Sequence, residues 1–263
     1  MTPSVSGLAV LVVLPTLNEV ENLEALVAAL VGHGYRVLIV DDLSEDGTGE
    51  LADRLAADDK GVSVIHRAGR RGYGFAAGVG FREALRQEVD VIAQMDSDFS
   101  HDPAALPDLV AAIANGAEMV IGSRYVKGGS IVDWPLRRRL LSRGANRYSQ
   151  LVLGLRIKDV TAGFRAFRPD ALRLLEPWTC RAAGYGFLVE MAWRATRGGL
   201  EIVEVPVIFR DRVAGETKLA GPVVREAAVL VTKWGAGRIF RRGRIPGWPS
   251  DGGSTAMIPG DSM

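Results

Sequence analysis

The chain has 263 residues, 48% of them apolar and 24% charged, which bounds it to one large globular domain, or one domain with a tail, and excludes a fibrous or wholly disordered protein. Its one cysteine, Cys180, excludes an internal disulfide framework and fits a reducing compartment; the nearest approach to the ~18 uninterrupted apolar residues of a membrane span, 223–234, is broken by Arg225, Glu226 and Lys233. The net charge of +1 conceals a partition, because the first 123 residues carry 19 acidic against 8 basic side chains and the remainder 12 against 24. Such halves either attract each other or serve different partners, a cation-assisted site in the first and lipid phosphate or acidic membrane in the second.

The opening residues lack the features of a secretory signal, so 8–14 reads as a strand. Further short runs rich in Val, Ile and Leu at 36–40, 62–65, 89–95 and 118–121 are predicted strands, and 19–31, 48–57, 76–88 and 104–114 between them are predicted helices. Pro103 suits a first helical turn behind Asp102 as N-cap. This alternation predicts a mostly parallel α/β sheet with helices on both faces, whose ligands bind beyond the carboxyl ends of the strands. After Ser123 a basic, Gly-rich link at 127–130 leads to predicted helices at 137–153, 169–175 and 187–196, then a strand at 201–209. An amphipathic helix at 223–234 and the basic 238–244 follow, and 245–263, rich in Pro, Gly and Ser, reads as a disordered tail.

Two strand ends carry conspicuous carboxylates. Asp96-Ser97-Asp98 follows the fourth strand, where the turning chain lets carboxylates at i and i+2 approach one cation. A hard ion, Mg²⁺ or Mn²⁺, takes such ligands together with substrate phosphates; the plain alternative is a capped turn. Ser100 and His101 follow closely, and His101 either adds a contact or caps the next helix. Pro15-Thr16-Leu17-Asn18-Glu19 ends the first strand, and Asp41-Asp42 with the turn at 44–48 ends the second. Loops so placed either hold a base and ribose or simply cap helices. Gly72-Tyr73-Gly74 and Gly78 are no dinucleotide fingerprint, since they follow the third strand; a flexible loop beside the donor is the expectation.

The second half is cationic. Arg124 precedes Arg137, Arg138, Arg139, Ser142 and Arg143, with Arg138 and Ser142 one helical turn apart. This set either grips a phosphate or forms a solvated face. No aromatic-basic module points to nucleic acid. The stretch 211–218, Asp-Arg-Val-Ala-Gly-Glu-Thr-Lys, can close over a diphosphate with Arg212 and Lys218, or be an ordinary surface loop.

Together PTLNEVENL, VDDLSEDGT, MDSDFSHDP, GSRYVKGG, DVTAGFRAFR, GYGFLVE and EVPVIFRDRVAGETK, in this order over residues 8–240, resemble the dolichol-phosphate mannose synthase family, most closely its actinobacterial polyprenol-monophosphomannose synthases. The resemblance implies an inverting GT-A glycosyltransferase of family 2, with catalytic domain 1–240 divided into a nucleotide half 1–123, an acceptor half 124–220 and a membrane-facing amphipathic helix 221–240. It implies that Pro15, Thr16, Glu19, Val40 and Asp42 hold the nucleoside. Asp96, Ser97 and Asp98 would hold the diphosphate, with Mg²⁺ or Mn²⁺ on Asp96, Asp98 and Ser100. Some members carry Gln where Ser100 stands. Arg212 and Lys218 would act with Asp98 in catalysis, and Arg124, Arg138 and Ser142 would bind the acceptor phosphate. Asp159, Thr161, Gly163 and Arg165 would be mainly architectural. The implied partners are GDP-mannose, a polyprenyl phosphate and the membrane surface at the cytoplasmic face of the cell membrane, reached by a surface helix or an integral membrane partner.

A phosphate monoester acceptor is already anionic near neutral pH, so no catalytic base is required. The rival readings are a UDP-sugar enzyme, a transferase to a saccharide hydroxyl and a non-catalytic nucleotide-sugar-binding scaffold.

Overall fold

The computed structural model describes residues 7–184, 186–211 and 221–240, with side chains in the last segment at 225 and 227–236. Four strand–helix repeats and a fifth strand open the chain: β1 (Val10–Thr16), α1 (Val20–Gly32), β2 (Arg36–Asp41), α2 (Thr48–Asp58), β3 (Val62–His66), α3 (Tyr73–Ala84), β4 (Val91–Gln94), α4 (Leu106–Ala114) and β5 (Met119–Ser123). Then come β6 (Ser130–Ile131), α5 (Leu136–Leu153), β7 (Arg165–Phe167), α6 (Pro169–Leu175), α7 (Gly186–Arg197), β8 (Ile202–Pro206), β9 (Ile208–Phe209) and α8 (Gly221–Phe240).

Alternation along β1 divides the core in two. Val10, Val12 and Leu14 pack on one face with Leu23, Leu26 and Leu30 of α1 and Leu109 of α4, while Leu11 and Val13 meet Phe81 of α3 and Phe187 of α7 on the other. Fully burying each such Leu or Phe contributes about 1.5–3 kcal/mol, so the i, i+3, i+4, i+7 set of α1 suffices to dock it. Both cores also take residues from beyond Ser123, Leu172 in one and Phe164 in the other.

The main sheet runs β3-β2-β1-β4-β7-β5-β8 and is parallel except for β7, which is antiparallel to both neighbours. The mostly parallel, doubly covered sheet matches the expectation; β7, only three residues long, was not foreseen. The strand expected at 201–209 is divided at Val207: β8 continues the main sheet beside β5, and β9 pairs with β6 in a separate two-stranded sheet. Asp102 caps as expected, accepting from the Ala104 amide at 2.9 Å, ahead of a short 3-10 turn that leads into α4.

Gly72, Gly74 and Gly78 do not form a flexible loop. Gly72 caps α3 and the other two lie within it. A Cβ on Gly74 would sit 2.4 Å from the Ala182 carbonyl oxygen, and one on Gly78 3.3 Å from that of Pro177. These glycines let α3 press against the segment before α7. Helix α8 extends beyond the 223–234 read from apolar spacing and spans the 221–240 that the resemblance implies, and its apolar residues Val231 and Trp234 are buried, Trp234 stacked on Trp193 of α7 at 5.4 Å. The tail 245–263 and the basic 241–244 lie outside the described residues.

Candidate active site

The strand order brings the carboxyl ends of β1, β2 and β4 to one edge of the sheet. Each loop leaving that edge holds a left-handed non-glycine residue: Asn18 (φ 50), Leu43 (φ 63) and Phe99 (φ 57). Such conformations cost free energy and persist only where surroundings fix them. Here the loops tie one another: Asn18 donates its amide to Ser44 Oγ and accepts from the Glu45 amide, both at 2.9 Å, and Thr16 Oγ1 lies 3.0 Å from Ser97 Oγ.

Thr16 and Pro15 end β1 and are buried, as is Glu19, whose carboxylate accepts from Asn22 Nδ2 at 3.0 Å and whose amide donates to Thr48 Oγ1 at 2.9 Å. Asp42 accepts from Arg67 and from the Gly72 amide, the latter at 2.6 Å. Thus Pro15, Thr16, Glu19, Asp42 and Ser97 gather at one edge. Val40 does not join them by its side chain, which is fully buried in the core, and its main chain lies in the ladder between Pro15 and Ile65.

Asp96 and Asp98 turn toward a cavity of about 450 Å³ that Ser100 and His101 also line. Asp96 Oδ1 accepts from the Tyr73 hydroxyl at 3.0 Å, and Oδ2 lies 3.6 Å from His101 Nε2. Asp98 Oδ1 accepts from the Ser100 amide at 3.0 Å. Ser100 Oγ and both His101 ring nitrogens are buried with no hydrogen-bond partner among the described residues. His101 is therefore not the helix cap; it sits between the rings of Phe164 and Phe209.

An all-oxygen set of two carboxylates and an unpartnered buried hydroxyl fits a hard divalent ion. Among the described residues no group of three or more His, Cys, Asp or Glu could hold a metal by itself. That suits an ion completed by substrate phosphates and water better than a closed protein cage.

Across the same cavity stand Arg124, Arg138 and Ser142, with Trp134 beside them. Arg124 is held by Asp159, donating from Nε and Nη2 at 2.6 Å each, and by Thr161 Oγ1 at 2.8 Å. Burial pushes the Asp159 carboxyl up, but the bonds and charge of Arg124 outweigh it and leave it below the ordinary carboxylate range. Burial likewise opposes the charge on Arg124, and Asp159 more than restores it. Arg138 lies 4.0 Å over the Trp134 ring and donates to Asp211 at 2.7 Å; Ser142 accepts from the Tyr125 hydroxyl at 2.8 Å. Arg165 is fully buried beneath the site, bonded to the carbonyls of Val160 and Ala162, and burial lowers its pKa to about 10. Arg212 and Lys218 lie outside the described residues.

From these polar groups the cavity continues between α5, α7 and α8 along Leu140, Leu141, Tyr148, Val189 and Val231. This apolar extension and Trp134 were not singled out from sequence, and Tyr73 and Asp211 entered only as members of the stretches 72–74 and 211–218, with no role of their own. The only signal was helical spacing in α5, which does not say which face a cavity takes.

Residues 11–175 match the glycosyl transferase family 2. The chain is 45% identical over 228 residues to an undecaprenyl-phosphate mannosyltransferase of Micrococcus luteus, covering 86% of this chain and 93% of that one. It is 44% identical over 236 residues to a polyprenol monophosphomannose synthase of Mycolicibacterium smegmatis, covering 88% and 89%. Among solved structures, glucosyl-3-phosphoglycerate synthase from Mycobacterium tuberculosis, in complex with Mn²⁺, UDP and glucosyl-3-phosphoglycerate, superposes with a TM-score of 0.63 at 20% identity, covering 88% of this chain and 81% of that one, a likeness of fold.

Proposed function

Since the chain belongs to glycosyl transferase family 2, we propose that it transfers mannose from GDP-mannose to a polyprenyl monophosphate with inversion, giving polyprenyl-phosphate-mannose and GDP. Kinship with two mannosyltransferases over most of their length supports the sugar and the acceptor class. The observation that carries the reading is one cavity joining Asp96 and Asp98 to Arg124 and Arg138 and then to apolar walls. Its parts match a diphosphate, a phosphate monoester and a hydrocarbon chain in that order.

In this reading Thr16, Glu19 and Asp42 hold the nucleoside. Asp96, Asp98 and Ser100 would hold Mg²⁺ or Mn²⁺, which when bound supplies positive charge to the leaving diphosphate. Arg138 and Ser142, backed by Arg124, hold the acceptor phosphate in line with the anomeric carbon. A phosphate oxygen forms the new bond to that carbon, the bond to the diphosphate oxygen breaks, and its electron pair leaves with GDP. Arg212 and Lys218 would neutralise that departing charge.

The acceptor is membrane-borne, yet no described helix is long and apolar enough to cross a membrane. Attachment through α8 alone, expected from its spacing, is weakened by Val231 and Trp234 packing inward. Helix α5 instead exposes Leu136, Leu140, Leu141 and Leu151 among Arg137, Arg143 and Arg147. Such a face suits the cytoplasmic surface of an anionic bilayer, where each arginine gains about 1 kcal/mol. An integral membrane partner remains part of the proposal only for 221–244.

The test is radiolabelled sugar transfer by purified protein with Mg²⁺ or Mn²⁺, a panel of nucleotide sugars and a panel of acceptors. GDP-mannose with polyprenyl phosphate is the expected pair. Turnover of a UDP-sugar in its place, or transfer to a saccharide hydroxyl, overturns the reading.

A further inference from the structure

Asp96 is oriented by a side chain that none of the motifs above assigns to the site. Tyr73, the first residue of α3, donates its hydroxyl to Asp96 Oδ1 at 3.0 Å and accepts from Gln94 Nε2 at 2.7 Å. Gln94 ends β4 and is fully buried, so the amide that steadies the phenol is itself fixed in the sheet.

The start of α3 is fixed from two further sides. The Gly72 amide donates to Asp42 Oδ2 at 2.6 Å, and the Gly74 amide to the Ala183 carbonyl at 2.8 Å. Gly163 makes room for the Tyr73–Asp96 bond: a Cβ there would stand 2.9 Å from the Tyr73 hydroxyl and 3.0 Å from Asp96 Oδ1. One dipeptide, Gly72-Tyr73, therefore contacts the carboxylates at the ends of both β2 and β4.

We propose that Tyr73 is a positioning residue, whose hydroxyl holds the Asp96 carboxylate in the orientation that receives the cation and so links the nucleoside carboxylate Asp42 to the diphosphate side. A hydroxyl bond to a carboxylate is charge-assisted and directional, and it removes rotamers that a lone aspartate would sample. Partners that orient metal ligands typically carry 10–100-fold in metal affinity. The inference rests on reading Asp96 and Asp98 as the cation-side carboxylates.

The experiment titrates Mn²⁺ into the full chain saturated with GDP, reading free Mn²⁺ by electron paramagnetic resonance, for wild type, Tyr73→Phe and Asp98→Ala. Tyr73→Phe is expected to weaken Mn²⁺ binding about 10–100-fold, with metal-free GDP binding and the melting temperature unchanged. Mn²⁺ affinity within about twofold of wild type in Tyr73→Phe, beside a loss in Asp98→Ala, overturns the role of Tyr73 alone. Undiminished affinity in Asp98→Ala overturns the cation reading itself. If Tyr73→Phe does not fold, Gln94→Leu, which removes the amide behind the phenol, is expected to show a smaller loss of Mn²⁺ affinity, and no loss refutes the proposal.

Discussion

Asp159→Ala tests whether the Arg124 guanidinium is locked into the wall of the cavity by its buried carboxylate partner. Asp159 is fully buried and accepts three bonds from Arg124, from its amide at 3.0 Å and from Nε and Nη2 at 2.6 Å each. Removing it leaves a buried cation with Thr161 and the rings of Tyr125, Trp134 and Phe209 as its company. Breaking a buried pair by deleting one partner costs about 3–5 kcal/mol. With an unfolding entropy of about 2.1 cal/mol/K per residue, that lowers the melting temperature by roughly 5–9 °C in a chain of this length. Thermal melting followed by circular dichroism measures it, with Asp159→Asn, which keeps one acceptor oxygen, expected to lose less. The pH dependence has a definite sign. Because the folded Asp159 pKa is depressed, the pair contributes fully above the ordinary carboxylate range, and its contribution is lost as pH falls through the lowered value. The gap between wild type and variant must therefore narrow in acid. A drop below about 2 °C at pH 7, or a gap that widens in acid, refutes the reasoning.

Arg138→Ala is expected to raise KM for polyprenyl phosphate about 10–100-fold, the worth of a charged hydrogen bond, and KM for GDP-mannose far less; equal effects in steady-state kinetics would place Arg138 on a solvated face. Gly74→Ala is expected to lower stability by about 1–3 kcal/mol or more, read from the urea midpoint, because its Cβ would stand 2.4 Å from the Ala182 carbonyl oxygen. The bond to Asp53 raises the His66 pKa, with burial opposing and Asp41 adding, so its contribution is present at pH 6 and lost as pH rises through the raised value. His66 is 45% exposed in its side chain, so screening leaves under about 1 kcal/mol; His66→Gln should shift the urea midpoint at pH 6 and not at pH 9.

The elements legible in the sequence are those whose burial has a simple period. Helix α1 carries Leu23, Leu26, Val27 and Leu30 on one face, and α6 begins at Pro169 and ends at Leu175 as read. What escaped has no local period. β7 offers only three residues and β6 only two, too few for alternation to register, and each exists because a neighbouring strand supplies its bonds, as does the break at Val207 that sends β9 to pair with β6. The glycines of α3 looked like a loop because glycine breaks helices on its own. Here they serve close approach to 177–183, a fact that resides in the partner segment. In the site, the carboxylates and arginines were legible by residue type. Their engagements were not, because Arg124 meets Asp159 across 35 residues and Tyr73 meets Asp96 across 23.

The opposite charges of the two halves can now be weighed. Had they served to clamp the halves together, close ion pairs should cross between them. The pairs named above do otherwise. Asp42 pairs with Arg67 and His66 with Asp53 inside the acidic half, while Arg124 pairs with Asp159 and Arg138 with Asp211 inside the basic half. These close pairs each stay within one half, while the longer-range attraction of Asp96 on Arg124 reaches across. In the acidic half, part of the surplus charge is Asp96 and Asp98 at the cavity; two carboxylates facing a diphosphate would repel it, so a cation between them is a requirement of the charges themselves. In the basic half part of the surplus is Arg137, Arg143 and Arg147, exposed on α5 beside leucines that line the cavity mouth. The partition thus fits the division of partners proposed above, nucleotide diphosphate with its cation on one side and an anionic lipid surface on the other, and residues of both halves line the one cavity.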